Sequence, residues 1–130
     1  MENKAAALFC FVAALAGVAA LALAAKSLEP VPKQISELGA EDIGSRVVVS
    51  GRISTASWRN GNLFLSVCGA KCIKVVVFAS LAEQMRGHSL NPSALEKGAV
   101  VSVEGTVDEY RGELEITPFH YNSIDVVQAA

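Results

Sequence analysis

The sequence predicts a mainly β domain whose five strands close into a small barrel, behind one apolar N-terminal helix. Runs of β-branched residues with turn signals between them begin at Arg46 and recur almost to the end of the 130-residue chain, of which 52% is hydrophobic. Two of the longer runs contain a mid-strand glycine, and the strands of a small barrel must bend. An uncharged stretch, Ala5–Ala25, precedes all of these runs.

The stretch Ala5–Ala25 predicts a membrane-spanning helix. As a helix its 21 residues would measure roughly 31 Å, close to the hydrocarbon core of a bilayer. The expectation is therefore a single-pass protein of the cell membrane, with the domain on the extracytoplasmic side. Two alternatives stay open: a signal peptide cleaved at a small-x-small pattern such as Ala20-Leu21-Ala22, which would release a secreted protein, and a buried helix.

The chain divides into three predicted parts. These are residues 1–26, a hydrophobic anchor or signal segment; residues 27–45, a proline-containing linker with a short helical lead-in; and residues 46–130, the barrel domain. Two prolines between Ser27 and Gln34 predict a stiff spacer that lifts the domain off the membrane. Ile35 and Leu38 begin one or two helical turns, which Gly44 ends.

The predicted strands follow in order. They are Arg46–Ser57, Leu63–Cys68, Ile73–Phe78, Ala99–Tyr110 and Glu113–Thr117, with a last extended piece at Ser123–Val127. Gly51, inside the first strand, predicts a bulge or a sharp bend. Asn60-Gly61 is a strong hairpin-turn signal. A helix at Ser80–Gly87 forms an excursion between the third and fourth strands.

Six segments in this order, VVVSGRI, GNLFLSV, IKVVVF, LEKGAVVSVEGTV, GELEI and SIDVV, resemble the OB-fold nucleic-acid-binding domains of tRNA synthetases, helicase-associated modules and exonuclease subunits. The resemblance spans Val47–Val127. It implies a five-stranded Greek-key OB-fold barrel with a short helical excursion between strands three and four. It also implies a non-catalytic module that binds single-stranded DNA or RNA across the second and third strands, between the loops that follow the first and fourth strands.

Binding of this kind needs stacking surfaces and cations. The candidates are Arg52, Trp58, Arg59, Phe64, Ser66, Lys74, Tyr110 and Arg111. Side-chain alternation places Phe64, Ser66 and Lys74 on one outer face. Each candidate also has a structural interpretation, since Trp58 can close the end of the barrel and Arg111 can be an ordinary solvated charge.

The charge of the chain favours moderate binding. The formal net charge is −2, whereas a dedicated duplex-DNA binder is usually basic. Acidic residues gather on the fourth and fifth strands and should repel phosphate there. They are Glu104, Asp108, Glu109, Glu113 and Glu115. Tight, unspecific binding is therefore not expected, because phosphate contacts supply most of that affinity.

The sequence contains no catalytic constellation, so we expect neither an enzyme nor a metal or cofactor. There are only two histidines, His88 and His120, and no phosphate-binding glycine loop. One alternative is an extracytoplasmic module that binds a protein or another ligand. A further alternative is similarity to the OB-fold haem chaperones of cytochrome c maturation through His120. The similarity is incomplete, since Tyr121 is adjacent instead of four residues further on. No oligomeric state is predicted.

Cys68 and Cys72 flank a tight turn between the second and third strands. Two cysteines cannot complete a four-ligand zinc site, and neither histidine is near in sequence. Their three-residue spacing also differs from a redox C-x-x-C motif. Because facing residues of paired strands lie within disulfide range, the pattern predicts a Cys68–Cys72 bond in an oxidising compartment.

Overall fold

The structure, a computed structural model, describes residues 29–130 and confirms the mainly β prediction. Its strands are β1 Val31–Pro32, β2 Arg46–Arg59, β3 Asn62–Cys68, β4 Cys72–Val77, β5 Val100–Tyr110, β6 Glu113–Thr117 and β7 Ile124–Gln128. Valine, isoleucine and aromatic residues are frequent in these segments and pack well on a pleated surface. Helix α1, Ala79–Gly87, lies between β4 and β5, where the sequence predicts the helical excursion.

The pairings of the five strands β2 to β6 form a ring. β2 pairs with β3, β3 with β4, β5 with β6 and β5 with β2, all antiparallel, and β4 pairs in parallel with β6. Two short strands extend this ring: β1 adds in parallel to the beginning of β2, and β7 adds to the beginning of β5. The described sheet therefore has seven strands: the five predicted ones, β7 where the sequence predicts a last extended piece, and β1, which was not predicted.

The core lies inside the ring, and side-chain alternation fills it. In β3, Leu63, Leu65 and Val67 are buried, while Phe64 and Ser66 on the opposite face are half-buried. These are the two faces that the sequence predicts. β4 follows the same alternation, except that its outer-face valine, the partner of Phe64, is buried as well.

At the two mid-strand glycines the neighbouring strand leaves no space for a side chain. A Cβ on Gly51 would stand 2.7 Å from the carbonyl oxygen of Cys68, and one on Gly105 would stand 2.6 Å from a β6 side-chain carbon. At Gly51, β2 passes from β5 to β3 as its partner. The predicted bulge is corrected in position, because the register shift lies between Ile53 and Thr55. Gly51 itself makes room for the neighbouring backbone.

Two tight turns end the β2–β3 and β5–β6 hairpins. Asn60 and Gly61 have φ angles of 52° and 80°, and Arg111 and Gly112 have 53° and 79°. Two successive residues in the left-handed region are typical of type I′ turns, whose twist matches that of the flanking strands. The first turn is the one that Asn60-Gly61 predicts, and the second joins the predicted strands that end at Tyr110 and begin at Glu113.

The segment predicted as a linker contacts the domain at β1 and at Ile35. β1 pairs with β2, and the Lys33 N–H donates to the carbonyl of Val48 at 3.0 Å. Ile35 then enters the core at the start of a 3₁₀ turn. This part of the segment is therefore attached to the domain, because Ile35 buries apolar surface that a free linker would expose.

An ion pair closes this segment on itself. Lys33 Nζ donates to Asp42 Oδ1 at 2.5 Å, and the Gly39 N–H donates to Oδ2 at 2.9 Å. The hydrogen bond from Lys33, helped by that from Gly39, lowers the pKa of Asp42. The same bond raises the pKa of Lys33. Because Asp42 is buried, its carboxylate has lost contact with water, and these two donors replace the lost hydrogen bonds.

Helix α1 packs on the ring beside the β2–β3 turn. Its buried residues are Leu81, Ala82 and Met85. The residue before the helix gives no side-chain cap, and the N–H of Ala79 instead donates to Asn62 Oδ1 at 2.8 Å. This bond ties the first turn of α1 to the beginning of β3. The helix ends at Gly87, as the sequence predicts.

The predicted anchor or signal helix, residues 5–25, and the first residues of the predicted linker lie outside the described residues. Between residues 29 and 130, no helix is both long and apolar enough to cross a membrane.

Candidate functional site

A groove of about 810 Å³ crosses the outer face of β2, β3 and β4 and reaches the β5–β6 turn. Six of the predicted site residues line it: Arg59, Phe64, Ser66, Lys74, Tyr110 and Arg111. They come from four strands, β2 to β5, and from the β5–β6 turn, which are distant in sequence. The ring of strand pairings brings them together on one face.

Strand register sets the order of side chains across the groove. Ser66 faces Lys74 across β3 and β4, and Lys74 in turn faces Glu115 of β6. The next row on the same face joins Ser57 to Phe64. The floor is therefore a mixture of hydroxyl, aromatic and charged groups.

An arginine stacked on an aromatic ring stands at each end of the groove. The guanidinium carbon of Arg59 lies 4.8 Å from the ring centroid of Phe64, and that of Arg111 lies 5.2 Å from that of Tyr110. Both distances are within cation–π range. Tyr110 is 55% exposed. Each end thus offers a cation for a phosphate beside an aromatic surface for a base.

The charges of the groove partly cancel. Lys74 Nζ lies 2.9 Å from Glu113 Oε2, and both side chains are more than half exposed. A pair as exposed as this contributes little to stability. Glu115 adds a second carboxylate to the lining. The two arginines on the turns are therefore the cations with most freedom to meet a ligand.

Two predicted site residues do not line this groove. Arg52 Nη1 donates to the carbonyl of Gly98 at 2.8 Å, which turns the side chain towards the loop before β5. Trp58 pairs with Leu63, so it lies on the inward face of β2 at the strand end. Arg86 of α1 stands 5.7 Å from the ring centroid of Trp58.

Nine lining residues were not among the sequence candidates, and three of these are uncharged polar residues of β2 and β3. Thr55 and Ser57 precede Arg59 at alternate positions of β2, and Asn62 begins β3. Alternation from Arg59 backwards could have found the first two. Asn62 Oδ1 is engaged by α1, which leaves its NH₂ group as the polar atom available to the groove.

Cys68 and Cys72 form a disulfide, as predicted. The sulfurs are bonded, and the Cα atoms are 4.0 Å apart across directly facing positions of β3 and β4. Ser54 Oγ lies 3.4 Å from Cys68 Sγ. The bond closes the tip of the β3–β4 hairpin, next to the row that carries Ser66 and Lys74.

His120, the residue of the haem alternative, lies on the surface after β6. Its Nδ1 is 2.5 Å from Asn122 Oδ1, and its ring is 4.3 Å from that of Tyr121. Tyr121 stacks on its other neighbour, His88, at 3.6 Å. Among residues 29–130 no three metal-ligating side chains come together.

No protein-family model and no curated protein matches the chain. Solved structures do. The crystal structure of asparaginyl-tRNA synthetase from Pyrococcus horikoshii is 23% identical with a TM-score of 0.61, covering 79% of this chain and 24% of the synthetase. OBody AM3L15 bound to hen egg-white lysozyme is 19% identical with a TM-score of 0.62, covering 80% of this chain and 99% of the OBody.

The S. pombe Stn1-Ten1 complex is a third similar structure. It is 21% identical with a TM-score of 0.51, covering 63% of this chain and 57% of the matched one. The class of fold is thus OB-like, in agreement with the resemblance in the strand segments. This chain spans about a quarter of the synthetase, and the likeness to all three structures concerns the fold alone.

Proposed function

We propose that the domain is a five-stranded Greek-key OB barrel that binds single-stranded DNA or RNA, without catalysis, in the groove over β2, β3 and β4. The observation that carries the proposal is the pair of stacked arginines, Arg59 on Phe64 and Arg111 on Tyr110, at the two ends of one groove. Stacking surfaces and cations along a groove are what sequence-tolerant binding of single strands requires. The OB-like fold of the synthetase and Stn1-Ten1 structures supports the same function.

The carboxylates of the groove set the expected strength. Glu113 and Glu115 repel phosphate, and Glu113 already neutralises Lys74. We therefore expect moderate affinity that falls steeply with salt, because a few arginine–phosphate contacts supply most of it.

Fluorescence anisotropy of labelled oligo(dT) and oligo(U) tests the proposal on the full-length chain in mild detergent. Arg59→Gln and Arg111→Gln should each weaken binding and reduce the slope of log K against log salt by about 0.7. Arg46→Gln is the matched control, because Arg46 stacks on Phe119 at the opposite end of β2. Binding that is absent, or unchanged in both groove variants, would contradict the proposal.

A protein partner is the second candidate for the same groove. Glu113 and Glu115 favour it, since carboxylates attract basic groups of a protein as readily as they repel phosphate. The OBody structure, bound to hen egg-white lysozyme, gives an example of this fold with a protein ligand. If this candidate is right, Glu113→Gln should weaken capture of the partner while no oligonucleotide binds.

Haem binding through His120, the remaining alternative, can be tested separately. A Soret band after reconstitution with haem, lost in His120→Ala, would support it. The hydrogen bond between His120 and Asn122 does not favour it, because that bond already engages one ring nitrogen.

We also propose that residues 5–25 anchor the protein in the cell membrane with the domain outside. The uncharged run of 21 residues and the Cys68–Cys72 disulfide, a bond of oxidising compartments, support this location. The test uses intact cells that express the Cys10→Ala variant, because this change removes the one cysteine besides Cys68 and Cys72. A membrane-impermeant thiol reagent should label this variant only after reduction. Labelling without reductant would contradict the disulfide, and labelling only after lysis would contradict the orientation.

A further inference from the structure

Trp58 and Arg86 form an exposed aromatic and cationic surface on the α1 side of β2, here called the Trp58 platform. Trp58 is 41% exposed, although it lies in register with the fully buried Leu63. The guanidinium of Arg86 stands over its ring, at the outer limit of cation–π range. The ring therefore covers the end of the core and still keeps accessible surface.

The platform adjoins the groove at one turn. Arg59, the next residue of β2, points to the opposite face and stacks on Phe64 in the groove. Consecutive side chains of a strand point to opposite faces. A chain that leaves the groove past Arg59 and over the Asn60-Gly61 turn would therefore meet Trp58 next.

Charge favours this direction over the other end of the groove. The β5–β6 hairpin beyond Tyr110 carries Asp108, Glu109 and Glu113, which repel phosphate. Helix α1 has a single acidic residue, Glu83, and contributes Arg86. A polyanion that extends beyond the groove is thus repelled past the Arg111 end and attracted past the Arg59 end.

From these contacts we infer a second binding subsite on the Trp58 platform for single-stranded nucleic acid that extends beyond the groove. One base stacks on the indole of Trp58, and its phosphate lies by the Arg86 guanidinium. The inference rests on the proposed function. It adds the direction in which the nucleic acid leaves the groove, and it makes the affinity depend on the length of the nucleic acid.

The fluorescence of Trp58 tests the inference directly, because it is the only tryptophan of the chain. The full-length protein in detergent is titrated with oligothymidylates of about four and about twelve nucleotides, a span that matches known site sizes of OB folds. We expect the short strand to bind without changing the fluorescence. The long strand should quench it and bind about fivefold or more tightly, the typical gain from one stacked base.

Variants separate stacking from packing. Trp58→Leu keeps an apolar cover on the core and should remove the advantage of the long strand, whereas Trp58→Phe should keep most of it. Phe119→Leu is the matched control, because Phe119 is an equally exposed ring under an arginine at the other end of β2. It should keep the full advantage of the long strand.

The outcomes distinguish the inference from the proposed function. Equal affinity for both oligonucleotides, or an unchanged tryptophan signal with the long one, would contradict a subsite on the Trp58 platform. Either result would still be compatible with binding in the groove. If neither strand binds, both fail. The measurements on the unmodified protein decide these cases even if Trp58→Leu does not fold.

Discussion

Gly105 of β5 lies against Ile116 and Thr117 of β6, where there is no room for a side chain. A Cβ there would stand 2.6 Å from Cγ2 of Ile116 and 2.8 Å from the carbonyl oxygen of Thr117. A side chain can rotate away, but a strand carbonyl held in a ladder cannot. The close contact between these two strands therefore depends on a hydrogen atom at this position.

Gly105→Ala should lower the free energy of unfolding by about 1–3 kcal/mol, the usual cost of adding a methyl group to a filled site. Urea unfolding of the full-length chain measures it. Gly69→Ala is the matched control, since no atom lies within 4 Å of its Cβ position, and it should change stability by less than about 0.5 kcal/mol. Equal effects of the two substitutions would contradict this account of Gly105.

At the scale of elements, the β3–β4 hairpin is closed twice, by its ladder and by the disulfide. Cys68 and Cys72 are only four positions apart. A loop this short loses little entropy when it is closed, so the bond should add stability at the low end of the usual range. The hairpin should therefore stay paired when the bond is reduced.

Reduction of the disulfide should lower the free energy of unfolding by about 2 kcal/mol without unfolding the domain. Urea unfolding with and without a dithiol, followed by circular dichroism, measures the change. The Cys68→Ser, Cys72→Ser double variant should be as stable as the reduced protein and insensitive to the dithiol. A protein that unfolds on reduction alone would show that the ladder cannot hold this hairpin.

The lead-in segment between β1 and β2 depends on the Lys33–Asp42 pair. The pKa of Asp42 is lowered in the folded state by its hydrogen bonds, first that from Lys33. A carboxyl with a lowered pKa stabilises the fold above its unfolded pKa, near 4, and that contribution is lost as the pH falls through the folded value. The raised pKa of Lys33 acts at the other limit, where its contribution is lost above about pH 10.5.

Asp42→Asn should lower the melting temperature at pH 7 and reduce its fall in acid, because the titrating carboxyl is gone. Thermal unfolding at pH 7 and at steps below pH 4 tests this. Glu41→Gln is the control, since Glu41 is exposed and neighbours Asp42 in the same 3₁₀ turn. If both variants show the same acid dependence, the ion pair does not hold the segment.

On the scale of the whole molecule, charge is distributed unevenly around the groove. The end of β2 and helix α1 carry Arg59 and Arg86, whereas β5 and β6 carry five acidic residues. Although the net charge is only −2, the protein therefore has a cationic side near Arg59 and Arg86 and an anionic side near β5 and β6. Such a field orients a polyanion even when total charge does not attract it.

Asp108→Asn combined with Glu109→Gln should raise the affinity for oligo(dT) by about two- to fivefold at low salt, because two exposed charges that repel phosphate are removed. The gain should disappear at about 1 M salt, where screening is nearly complete over this distance. Anisotropy titrations at both salt concentrations measure it. A gain that survives high salt would point to a new contact instead of lost repulsion.

The local patterns of the sequence were sufficient for most elements. Alternation in Leu63–Cys68 predicted the inner and outer faces of β3, and Asn60-Gly61 and Gly87 placed a turn and the end of a helix. These features depend on neighbours within a few positions, which the sequence displays directly. Six of the eight candidates that the resemblance implied line one groove, although no ligand contact is established for them.

Only the tertiary structure decided which segments meet. Local patterns at 27–45 predict a linker, yet β1 pairs with β2, because the free edge it covers belongs to a strand fifteen or so residues away. Trp58 lies outside the groove because the register shift between Ile53 and Thr55 puts it opposite the buried Leu63, on the inward face. The sequence thus determined the elements and their faces, while closure of the ring determined which faces became the groove, since pairing over long separations leaves no local signal.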